Sequence, residues 1–172
     1  MNHTVYLGLG SNIGDRRLAM VEAIDRIGKS IGTVVRQSTF YETEPWGFES
    51  ENMFLNAVVC VETSLCPLCL LKATQNIEFE MGRTEKYLNV SVNVNENVNE
   101  NDSVNENESV LPSSPVAQPS TRRNYHDRII DIDILLYDDI TVELPELKIP
   151  HPLMREREFV MKPLNEILLS QT

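Results

Sequence analysis

Arg128-Ile129-Ile130-Asp131-Ile132-Asp133-Ile134-Leu135-Leu136-Tyr137 is the stretch around which the chain is organised. Side chains alternate across an extended strand, so Asp131 and Asp133 share one face while Ile130, Ile132 and Ile134 share the other. One face is oily and the other carries two acids. The acidic face holds two carboxylates roughly 7 Å apart along the strand, close enough to converge on one small guest, and a divalent cation relieves their repulsion best. Any half-buried strand shows polar residues on its wet face, so the neighbours must decide. Asp is a poor strand former, and two of them interrupting a run of Ile and Leu carry a local cost that suggests a use. Arg128 adds a fork suited to phosphate.

Outward from that strand, the 172 residues suit one domain with a single core, and 41% hydrophobic content fits a globular protein. The formal charge of −11 disfavours general nucleic-acid binding. Five of the acids fall between Leu88 and Pro119, a stretch without Lys or Arg, which leaves −6 for the remainder. No apolar run approaches a membrane span and the sequence opens almost directly on a strand, so a cytoplasmic protein is expected, with no membrane partner. Cys60, Cys66 and Cys69 cannot build a disulfide framework, in keeping with a reducing compartment.

Thr4 to Leu9 reads as a strand, and Gly8, Gly10 and Gly14 mark a structural turn into a helix capped by Asp15. In that helix Leu18, Val21, Ile24, Ile27 and Ile31 recur at helical spacing, and Gly28 or Gly32 ends it. Val34 to Tyr41 is a second strand, followed by the loop Glu42-Thr43-Glu44-Pro45-Trp46-Gly47. Phe54 to Val61 is a third strand, with Phe54, Asn56, Val58 and Cys60 on one face. Ser64 is the expected cap of a second helix, with Pro67 in its first turn, a stripe of Leu68, Leu71, Ala73 or Thr74, and Ile77, and an end at Gly82. Cys66-Pro67-Leu68-Cys69 has a redox-like spacing, but no aromatic signature precedes it, and two small buried helix residues are the plainer reading. Two further ligands would be needed for zinc.

From Leu88 to about Pro119 alternating Val, Asn, Glu and Ser give way to a Pro/Ser segment, a low-complexity insert with too few large apolar groups to support packing. After the acidic strand, Asp138-Asp139 predicts a turn into Ile140 to Leu144, forming a hairpin with that strand. Pro150-His151-Pro152 is a rigid corner. A last helix is expected from Val160 to Leu169 with Pro163 in its first turn.

Taken in order, Gly10-Ser11-Asn12, Phe40-Tyr41-Glu42-Thr43-Glu44-Pro45-Trp46-Gly47, Phe54-Leu55-Asn56-Ala57, Gly82-Arg83, Arg128-x-x-Asp131-x-Asp133-Ile134 and Ile149-Pro150-His151 form one ordered set. Outside the insert, the chain resembles the 6-hydroxymethyl-7,8-dihydropterin pyrophosphokinases of folate biosynthesis. The resemblance implies an α+β, ferredoxin-like sandwich of antiparallel sheet and helices with one added hairpin strand. It also implies transfer of pyrophosphate from ATP to the pterin, releasing AMP, by a monomer.

Carried over by position, Asp131 and Asp133 match ligands of two Mg2+ ions, and with Arg83 and Arg128 form the expected catalytic group. Glu78, Arg83, Arg128, Ile134, His151 and Arg157 match the ATP side. Thr43, Pro45, Trp46, Phe54, Asn56 and Phe159 match the pterin side, the two phenylalanines as a sandwich. The chain departs from the family in several places. His126-Asp127 stands where Gly-Pro commonly precedes the arginine, Glu85 replaces a basic residue with Lys86 beside it, Glu146 does likewise near Lys148, and the insert lies between Arg83 and Arg128. A catalytically silent binding module and a thiol protein built on Cys66 and Cys69 are the competing classes.

Overall fold

The computed structural model describes residues 2–47, 50–83 and 127–169. The insert, Glu85, Lys86 and His126 lie outside them. The chain runs β1 (His3–Ser11), α1 (Arg16–Ser30), β2 (Thr33–Gln37), β3 (Tyr41–Thr43), β4 (Phe54–Thr63), α2 (Pro67–Glu80), β5 (Asp131–Tyr137), β6 (Val142–Glu143), β7 (Lys148–Ile149), a short 3-10 turn (Met154–Glu156) and α3 (Glu158–Leu169). The main sheet is antiparallel in the order β2-β4-β1-β5, with β3 also on β4. Two β-α-β units interleaved in this way make the ferredoxin-like pattern. Helices follow on both faces.

One face of the sheet packs Val5, Leu7 and Leu9 of β1, Ala57, Val59 and Val61 of β4, and Ile132 and Ile134 of β5 with Ile130 just before it. Met20, Ala23 and Ile27 of α1 and Leu70 and Ile77 of α2 close that layer. The opposite face packs Tyr6, Val58, Cys60 and Leu135 under Val160, Leu164 and Ile167 of α3. Alternation in β4 is thus buried on both sides, as expected of a central strand.

Four local readings are corrected. Leu18 and Val21 are 61% and 52% exposed, because the stripe facing the sheet runs through Met20, Ala23, Ile27 and Ile31 instead. In α2 the cap is Cys66 rather than Ser64, and the buried stripe is Leu70, Thr74 and Ile77, while Leu68 lies outside it. The expected second strand breaks at Ser38, whose hydroxyl accepts from the Val58 amide at 3.0 Å and so takes over a ladder position. Finally, α3 begins at Glu158, so Pro163 falls in its second turn.

The predicted hairpin is also different. Asp138 adopts φ 43° at the turn, where its carboxylate accepts from Thr4 N at 2.7 Å and bonds the His3 ring at 2.7 Å, tying the turn back to β1. The segment beyond it pairs with its own continuation, β6 with β7, in a separate two-stranded sheet. The free edge of β5 is instead met by side chain and loop: Glu78 accepts from Ile132 N at 2.8 Å, and His151 N donates to the Leu135 carbonyl at 3.0 Å.

Gly32 shows how tightly α1 returns to the sheet. A Cβ there would overlap the Glu62 carbonyl oxygen, while the neighbouring Thr63 hydroxyl donates to the Ile31 carbonyl at 2.6 Å. Gly32→Ala is expected to lower stability by about 3 kcal/mol, a fall in Tm of roughly 6–12 °C for a chain of this size. Thermal unfolding checks it; an unchanged Tm would show that the junction can yield.

Candidate active site

The sheet face bearing the acids is floored by glycine. In the register, Asp131 lies opposite Gly10 and Gly10 opposite Asn56, while Asp133 lies opposite Gly8 and Gly8 opposite Val58. No side chain rises between the carboxylates of β5 and the Asn56 amide of β4. A Cβ on Gly10 would stand 3.0 Å from the Asn56 side-chain oxygen, and one on Gly8 would press on Leu135 at 3.3 Å. The glycines therefore do more than loosen the turn: they open a cavity that is continuous with solvent.

Arg83 enters from the end of α2. Gly82, at φ 97°, terminates the helix in the left-handed region, with Gly82 N donating to the Phe79 carbonyl and Arg83 N to the Glu78 carbonyl. This turn folds Arg83 back beside its own helix. Its Nη1 bonds Glu78 Oε1 at 2.6 Å and also pairs with Asp131 Oδ1. Burial opposes the charge on Arg83, yet Asp131 and Glu78 outweigh it and hold the guanidinium above its usual range. Arg128 approaches the same acid from the chain entering β5, its Nη2 3.2 Å from Asp131 Oδ2. Arg157, 5% exposed, has Nη1 4.0 Å from Asp133.

The facing wall is aromatic. Trp46, Phe54 and Phe159 line the same cavity as Asp131, Asp133, Arg128 and Arg157. Trp46 and Phe159 lie 6.4 Å apart, tilted by 58°. The arginines stitch the two walls together: Arg128 lies 5.2 Å from the Phe54 ring centre, and Arg157 4.8 Å from Trp46 and 5.8 Å from Phe159. Asn56, 5% exposed, donates to the Thr43 hydroxyl at 2.8 Å, so its side-chain orientation is fixed by β3.

Not every expected residue stands on the cavity. Glu78 is fully buried, its carboxylate occupied by Ile132 N and Arg83, and it does not line the cavity, so the expectation of a direct nucleotide contact is revised. The Ile134 side chain lies in the core, which leaves its main chain as the route to any ligand. Pro45 is not among the lining residues, although Glu44 and Trp46 on either side are. His151 is half-buried, its Nδ1 3.3 Å from the Leu153 amide, after the cis Ile149-Pro150 bond. Cys66 and Cys69 are exposed rather than buried and are joined as a disulfide, because the cap and third positions of a helix face each other; Cys60 stays buried and free.

Sequence reasoning missed the cavity-forming role of Gly8 and Gly10, and it missed Asn12 and Asp127. Alternation along β1 put the glycines and Asn56 on neighbouring strands, but only the register places them in one row.

Among the described residues no group of three or more His, Cys, Asp and Glu could hold a metal by itself. Asp131 and Asp133 offer two hard carboxylates beside an open cavity, the donor set that suits magnesium when substrate phosphates and water complete its shell. The residues fit that ion.

A family model described as 7,8-dihydro-6-hydroxymethylpterin-pyrophosphokinase matches residues 6–93 and 84–169. The chain belongs to this family. A 2-amino-4-hydroxy-6-hydroxymethyldihydropteridine pyrophosphokinase of Porphyromonas gingivalis is 42% identical over 164 residues, covering 95% of this chain and 89% of that protein. The pyrophosphokinase of that name from Bacillus subtilis is 35% identical over 168 residues, covering 97% and 79%. Among solved structures, an HPPK-DHPS in complex with substrates aligns with a TM-score of 0.63 at 14% identity, supporting the pyrophosphokinase fold. The chain covers 40% of that longer protein and is itself 97% covered.

In this pyrophosphokinase the buried Glu78 carboxylate is the support for both Arg83 and the strand carrying the acids. Glu78→Ala leaves the Ile132 amide without its acceptor and Arg83 with one carboxylate fewer, and should cost about 3 kcal/mol or more. Glu78→Gln keeps the amide bond and should lose clearly less. Denaturant unfolding of the two variants checks the order, and equal losses would show that the amide bond contributes nothing.

Proposed function

We propose that the acids, arginines and aromatic rings around this cavity carry out the family reaction, transfer of a pyrophosphoryl group from ATP to the hydroxymethyl group of 6-hydroxymethyl-7,8-dihydropterin. The chain is an ATP-dependent diphosphotransferase of folate synthesis. The observation that carries the assignment of roles is the meeting, in one cavity, of a wall of two carboxylates and flanking arginines with a wall of aromatic rings and a fixed amide.

The pterin is a flat heterocycle with a hydrogen-bonding edge. Phe54 and Phe159 supply faces for stacking, Asn56 reads the edge with its orientation held by Thr43, and Trp46 closes the side. The main chain of Thr43, Pro45 and Trp46 supplies further contacts.

On the opposite wall Asp131 and Asp133 hold magnesium, two ions by the family resemblance, and Arg83, Arg128, Arg157 and His151 take the triphosphate. The main chain of Ile134 is on the nucleotide side, while Glu78 acts from behind through Arg83. When bound, magnesium neutralises the charge that develops on the transferred phosphates. The protein's own share is positioning: it holds the pterin hydroxyl in line with the β-phosphorus, keeps water off that line, and surrounds the departing AMP oxygen with cations. The hydroxyl oxygen bonds the β-phosphorus, the bond from that phosphorus to the AMP oxygen breaks, and the hydroxyl proton leaves to solvent.

The chain acts as one domain and as a monomer in the cytoplasm. Among the described residues one copy supplies both walls of the cavity, which favours a monomer; no helix among them is long and apolar enough to cross a membrane.

Asp131→Ala is expected to cut kcat about 1,000-fold, equivalent to losing roughly 4 kcal/mol of charge stabilisation, with the fold retained. Formation of AMP dependent on ATP, magnesium and the pterin measures this, with circular dichroism as the control for folding. Turnover within threefold of the parent would remove Asp131 from its metal role.

A further inference from the structure

Asp127 immediately precedes Arg128 and makes three side-chain hydrogen bonds to two other loops. Its Oδ1 accepts from Asn12 Nδ2 at 2.6 Å and from the Ser50 hydroxyl at 2.7 Å, and its Oδ2 accepts from Asn52 Nδ2 at 2.8 Å. These bonds hold its carboxyl below the usual range, the Ser50 bond foremost. Asn12, 2% exposed, completes the junction by gripping the next residue at both ends: its side-chain oxygen accepts from Arg128 N at 2.7 Å, and its own amide donates to the Arg128 carbonyl at 3.1 Å. The backbone of Arg128 is thereby pinned to the end of β1.

The other end of the junction is the segment leading into Phe54. Ser50 also accepts from Asn52 N at 3.1 Å, and the Met53 carbonyl accepts from Arg16 at 2.7 Å. Arg16 pairs in turn with Glu42, so the segment is tied from both sides. Two residues beyond Asn52, the Phe54 ring lies 5.2 Å under the Arg128 guanidinium. Asp127 thus fixes, with one carboxylate, the residue that faces the triphosphate and the loop that carries the pterin-stacking ring.

We infer that Asp127 is a positioning residue that couples the two halves of the site, setting Phe54 and Arg128 at a fixed separation so that nucleotide-loaded protein presents a preformed pterin pocket. A carboxylate suits the task because its two oxygens accept from three donors at once. Preorganisation of this kind lowers the ordering cost of binding rather than adding a contact to the ligand.

The inference rests on the pterin and triphosphate assignments above, and the test separates the two. Pterin binding to protein loaded with magnesium and a non-hydrolysable ATP analogue is measured by calorimetry for the parent, Asp127→Ala, Asp127→Asn and the double variant Ser50→Ala/Asn52→Ala. Parent protein that fails to bind pterin contradicts the assignments themselves. With the parent binding, Asp127→Ala is expected to weaken pterin binding about tenfold and to raise the pterin KM more than it lowers kcat, with a smaller effect on nucleotide binding because Asn12 still holds the Arg128 backbone while the 50–52 loop is released. Asp127→Asn should recover most of the loss, since its oxygen keeps both Oδ1 contacts and the Asn52 amide can turn to accept from the new NH2 group. The double variant opens the junction from the loop side and should reproduce the weakening even if Asp127→Ala folds poorly. Pterin affinity unchanged in Asp127→Ala and in the double variant, or equal losses in Asp127→Ala and Asp127→Asn, overturns the inference.

Discussion

The structure of the site depends on how one edge strand carries two acids without coming apart. Among the described residues β5 has a strand neighbour on one side only, and its inner residues are committed to the core, so the acids are forced onto the open face. Charge on that face is balanced by arginines delivered from three places: the end of α2, the entry to β5 and the start of α3. Glu78 anchors the arrangement from within. It caps the buried Ile132 amide between the two acids and orients Arg83 towards Asp131, so one buried carboxylate sets both the strand and its counter-ion.

This balance explains why a site rich in arginine tolerates a strongly acidic protein around it. Asp131 in the ligand-free state is satisfied by Arg83 and Arg128, which serve as stand-in cations. On the roles proposed above, magnesium entering with a triphosphate would supply new partners to both sides of each pair at once: cations for the acids and phosphate oxygens for the arginines. Exchange of partners costs less than exposing either set unpaired. The aromatic wall is linked to the same exchange because Arg128 and Arg157 rest on Phe54, Trp46 and Phe159.

Part of this was legible in the sequence for a physical reason: period-two alternation in a strand with one oily face admits few readings, while the ferredoxin-like fold was implied by the family resemblance that the ordered motifs carry. Asp131 and Asp133 could be singled out because acids are costly inside a strand, whereas Phe54, Asn56 and Phe159 were named only by the family resemblance. What could not be read depends on register and on contacts far apart in sequence. Gly8 and Gly10 look like turn glycines until they are seen opposite Asp133 and Asp131. Glu78 was matched to the ATP side by the resemblance, and its burial behind Arg83 shows only once the Gly82 turn brings Arg83 back onto it. The hairpin expected after Asp138 was lost because Glu78 and His151 meet the edge of β5 where a strand was predicted, and Leu18 and Val21 were misplaced because the stripe α1 turns to the sheet runs through Met20, Ala23, Ile27 and Ile31.

The most direct test of this account is a crystal structure of the chain with magnesium, a non-hydrolysable ATP analogue and the dihydropterin. The account requires Arg83 and Arg128 to have left Asp131 for phosphate oxygens, both aspartates to face the metal, and the pterin ring to lie between Phe54 and Phe159 with its edge at Asn56. A complex in which Asp131 still pairs with Arg83 while the triphosphate and its metal bind elsewhere would contradict it.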